Sequence, residues 1–344
     1  MRITPLLACV LVLAAGCRDD GTGPSENHAA RNRTDSTDGF LADLGEVSGL
    51  PLAINDAGHV VGTRPVRVLT EAGLLPVRRA FLRQDGVAVD LGTLGGRESE
   101  ARGINHAGQV VGVSETGSQV WRAFLWEGGS MTDLGTPGSG YSEARAVNDA
   151  GSVVGYFDTG SAEHAFVWKD GVTTDLGTLG GSSSYANGIN NAGMVVGESE
   201  TGEGFEHAFL WRDGVMEDLG TLGGWESTAF GINASGQVVG SSMTPEGSWH
   251  AFLWRGGVMI DLGTLGGDHS EALGISASGD VVGYSATAEG VAHAFLWKGG
   301  VMTDLGSDGL AASIAYAINA RGLVVGTEST GGGDTTRALL WTVR

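Results

Sequence analysis

Cysteine is nearly absent: Cys9 and Cys17 are the only two in 344 residues. Both lie close to the N-terminus, so the rest of the chain has no disulfide available and packing alone must hold it. Proline is scarce, with seven residues, and positive charge is outnumbered, 20 Lys and Arg against 40 Asp and Glu. A net charge of −20 argues against nucleic acid or an anionic lipid surface as a partner for the body of the chain, since both repel an acidic surface. Nowhere is there room for an amphipathic helix of about 12 residues. What abounds is glycine, 60 residues, which calls for many tight turns.

The N-terminus reads as an export signal. Arg2 precedes an apolar stretch, Ile3 to Ala15, that is too short to span a bilayer. The stretch ends in Leu13-Ala14-Ala15-Gly16-Cys17, which resembles the lipobox of bacterial lipoproteins, with Ala14 at the position where Leu is usual. That resemblance implies a signal peptide over residues 1–16 and a lipid on Cys17. Residues 17–38 are polar and without apolar period, and so form a flexible tether to a folded body over residues 39–344. The expected location is a bacterial outer membrane or cell surface, or otherwise a secreted or periplasmic one, with the lipid as the sole membrane contact.

The body is periodic. Asp-Leu-Gly recurs seven times, at Asp43, Asp90, Asp133, Asp175, Asp218, Asp261 and Asp304, at intervals of 42 to 47 residues. One supersecondary unit copied at this period makes a repeat architecture. Each unit holds four short segments: the fifth has Ser227 to Asn233 (a), Gln237 to Ser241 (b), His250 to Trp254 (c) and Val258 to Gly263 (d). All are rich in β-branched or aromatic residues and bounded by Gly, Asn and Asp, which is strand chemistry. Segments a and b are joined by turns such as Asn233 to Gly236, and c and d by Asp-Gly or Gly-Gly, as at Asp213-Gly214, a strong hairpin signal. In segment c both faces are apolar, Phe209 and Trp211 against Ala208 and Leu210, so both must be covered.

Four-stranded antiparallel blades stacked around an axis meet that need. The body begins with a segment d, at Phe40, and ends with a segment c, at Trp341. Paired, the two complete one blade and remove the open edges of the array. The expected fold is therefore all-β, a seven-bladed β-propeller closed by its two terminal strands; an open β-array is the alternative.

The phrases His-Ala-Phe-Leu-Trp, Asp-Leu-Gly-Thr-Leu-Gly-Gly and Gly-Ile-Asn-x-x-Gly-x-Val-Val-Gly resemble the HAF family of bacterial extracellular repeats, over nearly the whole chain from Phe40 to Trp341. The resemblance implies export and a repeat fold, and carries no activity with it. The first copy departs from it, with Arg79-Ala-Phe-Leu-Arg83.

Three polar positions recur and could be taken for a Ser-His-Asp set. Asp133, Asp175, Asp218 and Asp261 belong to the repeated phrase. His164, His207, His250 and His293 open segment c, and Ser184, Ser227 and Ser270 open segment a. An active site is needed once, and Arg79, Arg122 and Arg337 stand in place of His, which preserves a donor to a carboxylate but removes a general base. These residues read as a structural network, and no residue is assigned as catalytic. No metal or other cofactor is indicated. Glu98, Glu143, Glu226 and Glu271 partly repeat as well and read as structural.

Function is expected where the period breaks. The a–b and c–d turns lie at one end of the ring and are nearly identical among copies; the b–c and d–a links lie at the other and vary. Trp121, Trp225 and Trp249 fall in the variable links, outside the repeated Trp position. The long first b–c link, Gly62 to Ala80, carries Arg64, Arg67 and Arg78, a basic patch in an acidic chain. These six residues form the candidate ligand site. The reading is a monomeric, non-enzymatic binding or scaffold module for a glycan or protein ligand; the alternative is a propeller enzyme acting on extracellular polysaccharide.

Overall fold

The computed structural model describes residues 40–43, 49–70, 73–138, 140–306, 311–329 and 336–343. The expected signal peptide, Cys17 and the tether lie outside the described residues. The described chain is all strand and turn. β1 (Phe40–Asp43) stands apart from the first complete sheet, blade 1, made of β2 (Leu50–Ile54), β3 (Val60–Thr70), β4 (Gly73–Gln84) and β5 (Val87–Asp90). Blade 2 comprises β6 (Gly95–Ile104), β7 (Val110–Thr116), β8 (Trp121–Glu127) and β9 (Ser130–Asp133). Blade 3 comprises β10 (Ser142–Val147), β11 (Val153–Asp158), β12 (Glu163–Lys169) and β13 (Val172–Asp175). Blade 4 comprises β14 (Gly180–Ile189), β15 (Val195–Thr201), β16 (Glu206–Arg212) and β17 (Val215–Asp218). Blade 5 comprises β18 (Ser227–Ile232), β19 (Val238–Met243), β20 (Trp249–Arg255) and β21 (Val258–Asp261). Blade 6 comprises β22 (Gly266–Ile275), β23 (Val281–Thr287), β24 (Ala292–Lys298) and β25 (Val301–Asp304). Blade 7 takes β26 (Ser313–Ile318), β27 (Leu323–Ser329) and β28 (Thr336–Thr342), and β1 is its fourth strand. The protein is a seven-bladed propeller closed by antiparallel pairing of its two terminal strands, from Phe40↔Thr342 to Asp43↔Leu339.

The turns follow from their residues. Asp85 and Gly86 both take positive φ, 50° and 81°, as a two-residue type I′ hairpin requires. In the a–b turns the Asn side-chain oxygen accepts from the backbone N–H four residues on, as Asn55 does from His59 at 3.0 Å. The long first b–c link is a ladder rather than a loop: β3 and β4 stay paired out to Thr70↔Gly73. Leu69 and Leu74, paired near its tip, are exposed.

The core lies between blades. Val154, Ala165 and Leu176 of blade 3 pack against Ala186, Val195 and Phe209 of blade 4, with Val167 and Trp211 beside them. This explains the two apolar faces of segment c: Ala208 and Leu210 serve the next blade and Phe209 the preceding one. The Phe of this position is fully buried in six blades.

The first strand of each blade (β2, β6, β10, β14, β18, β22, β26) packs against its counterparts in the neighbouring blades, so these seven strands ring the axis. Every one of them carries a bulge, at Leu52, Arg102, Arg145, Asn187, Phe230, Leu273 and Tyr316. The Gly of Val-Val-Gly faces the carbonyl two residues before the bulge. A Cβ on Gly197 would lie 1.9 Å from the Tyr185 oxygen, so no larger residue fits. At the a–b end a belt of amides joins the blades. Asn55 Nδ2 donates to the Asn105 carbonyl at 3.1 Å, Asn105 to Asn148 at 3.0 Å, and Asn148 to Asn190 at 3.1 Å. Asn190 donates to Asn233 at 3.0 Å, Asn233 to Ser276 at 3.2 Å, and Asn319 closes on Asn55 at 2.9 Å. Ser276 has no amide to pass on, so the link to Asn319 is missing.

Candidate binding site at the channel axis

The repeated polar residues meet at the corner where strand c, the Asp-Leu-Gly phrase and the next blade come together. His164 Nδ1 lies 2.8 Å from Asp175 Oδ2, and the other Asp175 oxygen accepts from Gly177 N at 2.8 Å. The pairs His207–Asp218, His250–Asp261 and His293–Asp304 repeat this at 2.8 to 2.9 Å, and Arg122–Asp133 stands at 3.5 Å. Ser184 Oγ accepts from Ala165 N at 2.9 Å and donates to the Gly177 carbonyl at 2.6 Å. Ser227 and Ser270 do the same in the following blades. The Ser proton is thus committed to a carbonyl instead of the imidazole, an arrangement that ties two blades together and leaves no activated nucleophile. Among the described residues no group of three His, Cys, Asp or Glu is placed to share a metal ion.

The six candidate ligand residues occupy separate places. Trp121 and Trp249 open β8 and β20 and are half-buried. Trp225, on the link into blade 5, is 66% exposed and stacks on Phe205, with ring centroids 5.4 Å apart. Arg64 and Arg67 lie on the projecting β3, Arg67 being exposed. Arg78, on β4, does something different: its Nη1 meets Glu100 Oε1 at 2.9 Å.

That contact begins a row of alternating charge across the inner strands. Arg102 Nη2 binds the second Glu100 oxygen at 2.9 Å, and Arg102 Nε stands 3.0 Å from Glu143 Oε1. Arg145 Nε approaches the same oxygen at 3.7 Å, and its Nη1 donates to Asn187 Oδ1. Asn187 Nδ2 donates to the Ala229 carbonyl at 2.8 Å. The row therefore runs from blade 1 to blade 5, and three of its members are bulge residues. The bulge is what turns them: the extra residue leaves the ladder and escapes the strict two-residue alternation of a strand.

Glu143 is the hub. Its Oε2 accepts from Tyr141 Oη at 2.6 Å and Tyr156 Oη at 3.1 Å, and the Arg145 guanidinium lies over the Tyr156 ring at 4.7 Å. Burial alone would raise its pKa, but Arg102, Arg145 and the two hydroxyls outweigh burial and hold it down to about 2. Burial first and the Glu143 charge second push Tyr156 up to about 12, against the opposing pull of Arg145. Glu198 sits in the opposite condition. Buried on β15, it is pushed up to about 7 by desolvation, although Thr228 Oγ1 donates to it at 2.5 Å and Arg145 lies near.

None of the row except Arg78 is in the sequence-derived site, and Glu143 is read there as structural. The signal that finds it is available in one chain. The positions one and three residues after the Ser that opens segment a hold Glu100, Glu143, Tyr185, Thr228 and Glu271, then Arg102, Arg145, Asn187, Phe230 and Leu273, in blades whose flanking residues hardly change.

Three solved structures fix how far likeness to known proteins extends. A puromycin-hydrolyzing peptidase of Mycobacterium tuberculosis is 12% identical with a TM-score of 0.55, covering 87% of this chain and 52% of its own. The acylaminoacyl peptidase of Pyrococcus horikoshii is 12% identical at 0.54, with the same coverage. The β-propeller domain of the Trilobed protease from Pyrococcus furiosus is 10% identical at 0.52, covering 85% of this chain and 95% of its own. The fold is that of a β-propeller. Identity at this level shows the architecture alone, and this propeller spans about half the length of the two peptidases. The Pyrococcus furiosus domain is described as having an open velcro topology, whereas here β1 joins β28 within one blade. No family model matches the chain, and no curated protein matches it.

Proposed function

We propose that this propeller is an exported, non-enzymatic binding module, anchored by a lipid on Cys17, whose glycan or protein ligand enters at the end that carries the b–c and d–a links. Its kinship to the HAF repeats rests on the motifs of segments a to d. The supporting observation is the row Arg78–Glu100–Arg102–Glu143–Arg145–Asn187, built from residues that differ between blades and, from Glu100 onward, set on the strands that ring the axis. A scaffold needing only stability would repeat its best solution in each blade, as the amide belt nearly does. A glycan array probed with the purified protein, beside a polysaccharide hydrolysis assay, tests the reading. Binding without turnover is expected, reduced by Trp225→Ala or Arg145→Met; turnover abolished by one acidic substitution would sink it. Cys17→Ser should move the protein from the membrane to the soluble fraction of a bacterial host.

The enzymatic alternative would draw on the buried carboxyl groups of Glu143 and Glu198, on blades 3 and 4, one held low by two guanidiniums and the other raised by burial. In that case Glu198→Gln would abolish turnover while leaving binding in place.

A further inference from the structure

We propose that the axial wall of blades 2 and 3 receives the carboxylate of a small ligand with an apolar face, the Arg102 and Arg145 guanidiniums taking the carboxylate and Phe230 and Leu273 taking the body. The proposal rests on the binding-module reading above and names the ligand chemistry. Glu143 stands between the two guanidiniums as their shared counter-charge, with both Tyr hydroxyls bonded to its other oxygen. It therefore orients the two Arg side chains without exhausting them. Arg102 Nε is buried without a hydrogen-bond partner, and the Arg102 and Arg145 side chains each keep 16% of their surface exposed.

Two guanidiniums already spaced to hold one carboxylate present the same fork to a second one arriving from the axis. With Arg78, three guanidiniums are gathered on this wall inside a chain of net charge −20, held by Glu100 and Glu143 and with Glu198 near Arg145. Across the axis the same bulge position holds Phe230 and Leu273, both half-buried, so the ring is charged on one side and apolar on the other. A ligand that is anionic at one edge and apolar over one face fits both walls.

Calorimetric titration of the full-length protein with paired probes tests this. Glucuronate is compared with glucose, and acetyl-phenylalanine with its amide, so that sugar and amino-acid sources of the carboxylate are told apart; inorganic phosphate is the control anion. The acid of one pair is expected to bind about tenfold or more tightly than its neutral partner and than phosphate. Arg145→Met should remove that preference. Because Arg145→Met also disturbs Glu143, Leu273→Glu provides the second variant: it leaves the Arg cluster untouched, adds a repelling charge across the axis, and should weaken the acid by about tenfold with an unchanged melting curve. Equal binding of acid and neutral probes, phosphate binding as tightly as the acids, or Leu273→Glu without effect would each overturn the carboxylate assignment. Neutral glycans retained on the array with no dependence on Arg145 would overturn it while leaving the binding-module reading intact. No binding by any probe at millimolar concentration or by any arrayed glycan would overturn both.

Discussion

At one end of the axis six Asn side chains do nearly the same thing, each passing an amide hydrogen bond to the next blade. Deeper along the same strands, three to five residues away, the blades share no common solution: Glu143 binds two Arg and two Tyr, Tyr185 donates to Glu163 at 2.6 Å, and Thr228 caps Glu198. Both regions are polar, both are buried, and both cross from blade to blade. The difference lies in what selection has to satisfy. Seven equivalent turns pose one problem and accept one answer, whereas the deeper positions are filled by unlike residues from blade to blade, as the proposed binding of one asymmetric ligand would require.

The predictions test that division. Glu143→Ala should cost the most, about 3–5 kcal/mol in denaturant unfolding, because Arg102 and Arg145 would be left buried and facing each other. Glu198→Gln acts in the opposite direction and depends on pH. The folded pKa of about 7 lies above the ordinary value of 4.5, so the native state holds this proton more tightly and loses stability as pH rises from about 4.5 through 7. The amide should therefore be neutral near pH 4.5 and stabilise by about 3 kcal/mol at pH 8, read from paired unfolding curves. Asn148→Ala removes a donor to Asn190 and an acceptor for Ala150 and Ser152, for an expected loss of about 2 kcal/mol. Unlike Glu143→Ala it should leave ligand binding unchanged; a belt substitution that altered affinity would erase the distinction between the two regions. His207→Ala should lower stability by about 1 kcal/mol, the partly solvated Asp218 pair contributing modestly. Ser276→Asn offers the one gap in the belt an amide to donate to the Asn319 carbonyl, and should stabilise by about 0.5–1 kcal/mol in the same unfolding assay.

Much of this was legible in residue order. The seven Asp-Leu-Gly phrases, the alternating turn chemistry and the incomplete first and last units lead directly to a closed ring of seven blades, because each is a local signal repeated often enough to be unmistakable. The corner built by Asp175, His164 and Ser184 was legible as a recurring trio, though only the structure shows that Ser184 bonds the backbone on either side of the pair. The charge row was less legible. Attention to variable links finds Trp225, with its stack on Phe205, and Arg78, the outer end of the charge row. It passes over Arg102 and Arg145, because a Ser-Glu-Ala-Arg run reads as an ordinary strand when no bulge is foreseen. It also groups Glu98 and Glu226 with Glu143 and Glu271, although one pair precedes the buried Ser and the other follows it, with Glu143 alone set between two guanidiniums.

Sequence by itself determined the number of blades, the four strands of each, the place of the closure and the residues that every blade shares. Those properties follow from local propensity and period, which a single chain displays repeatedly. The tertiary structure decided which unlike residues meet. Arg102 and Glu143, or Arg145 and Asn187, are a full repeat apart along the chain, and only the packing of first strands around the axis, with a bulge turning each residue out of the ladder, makes them neighbours.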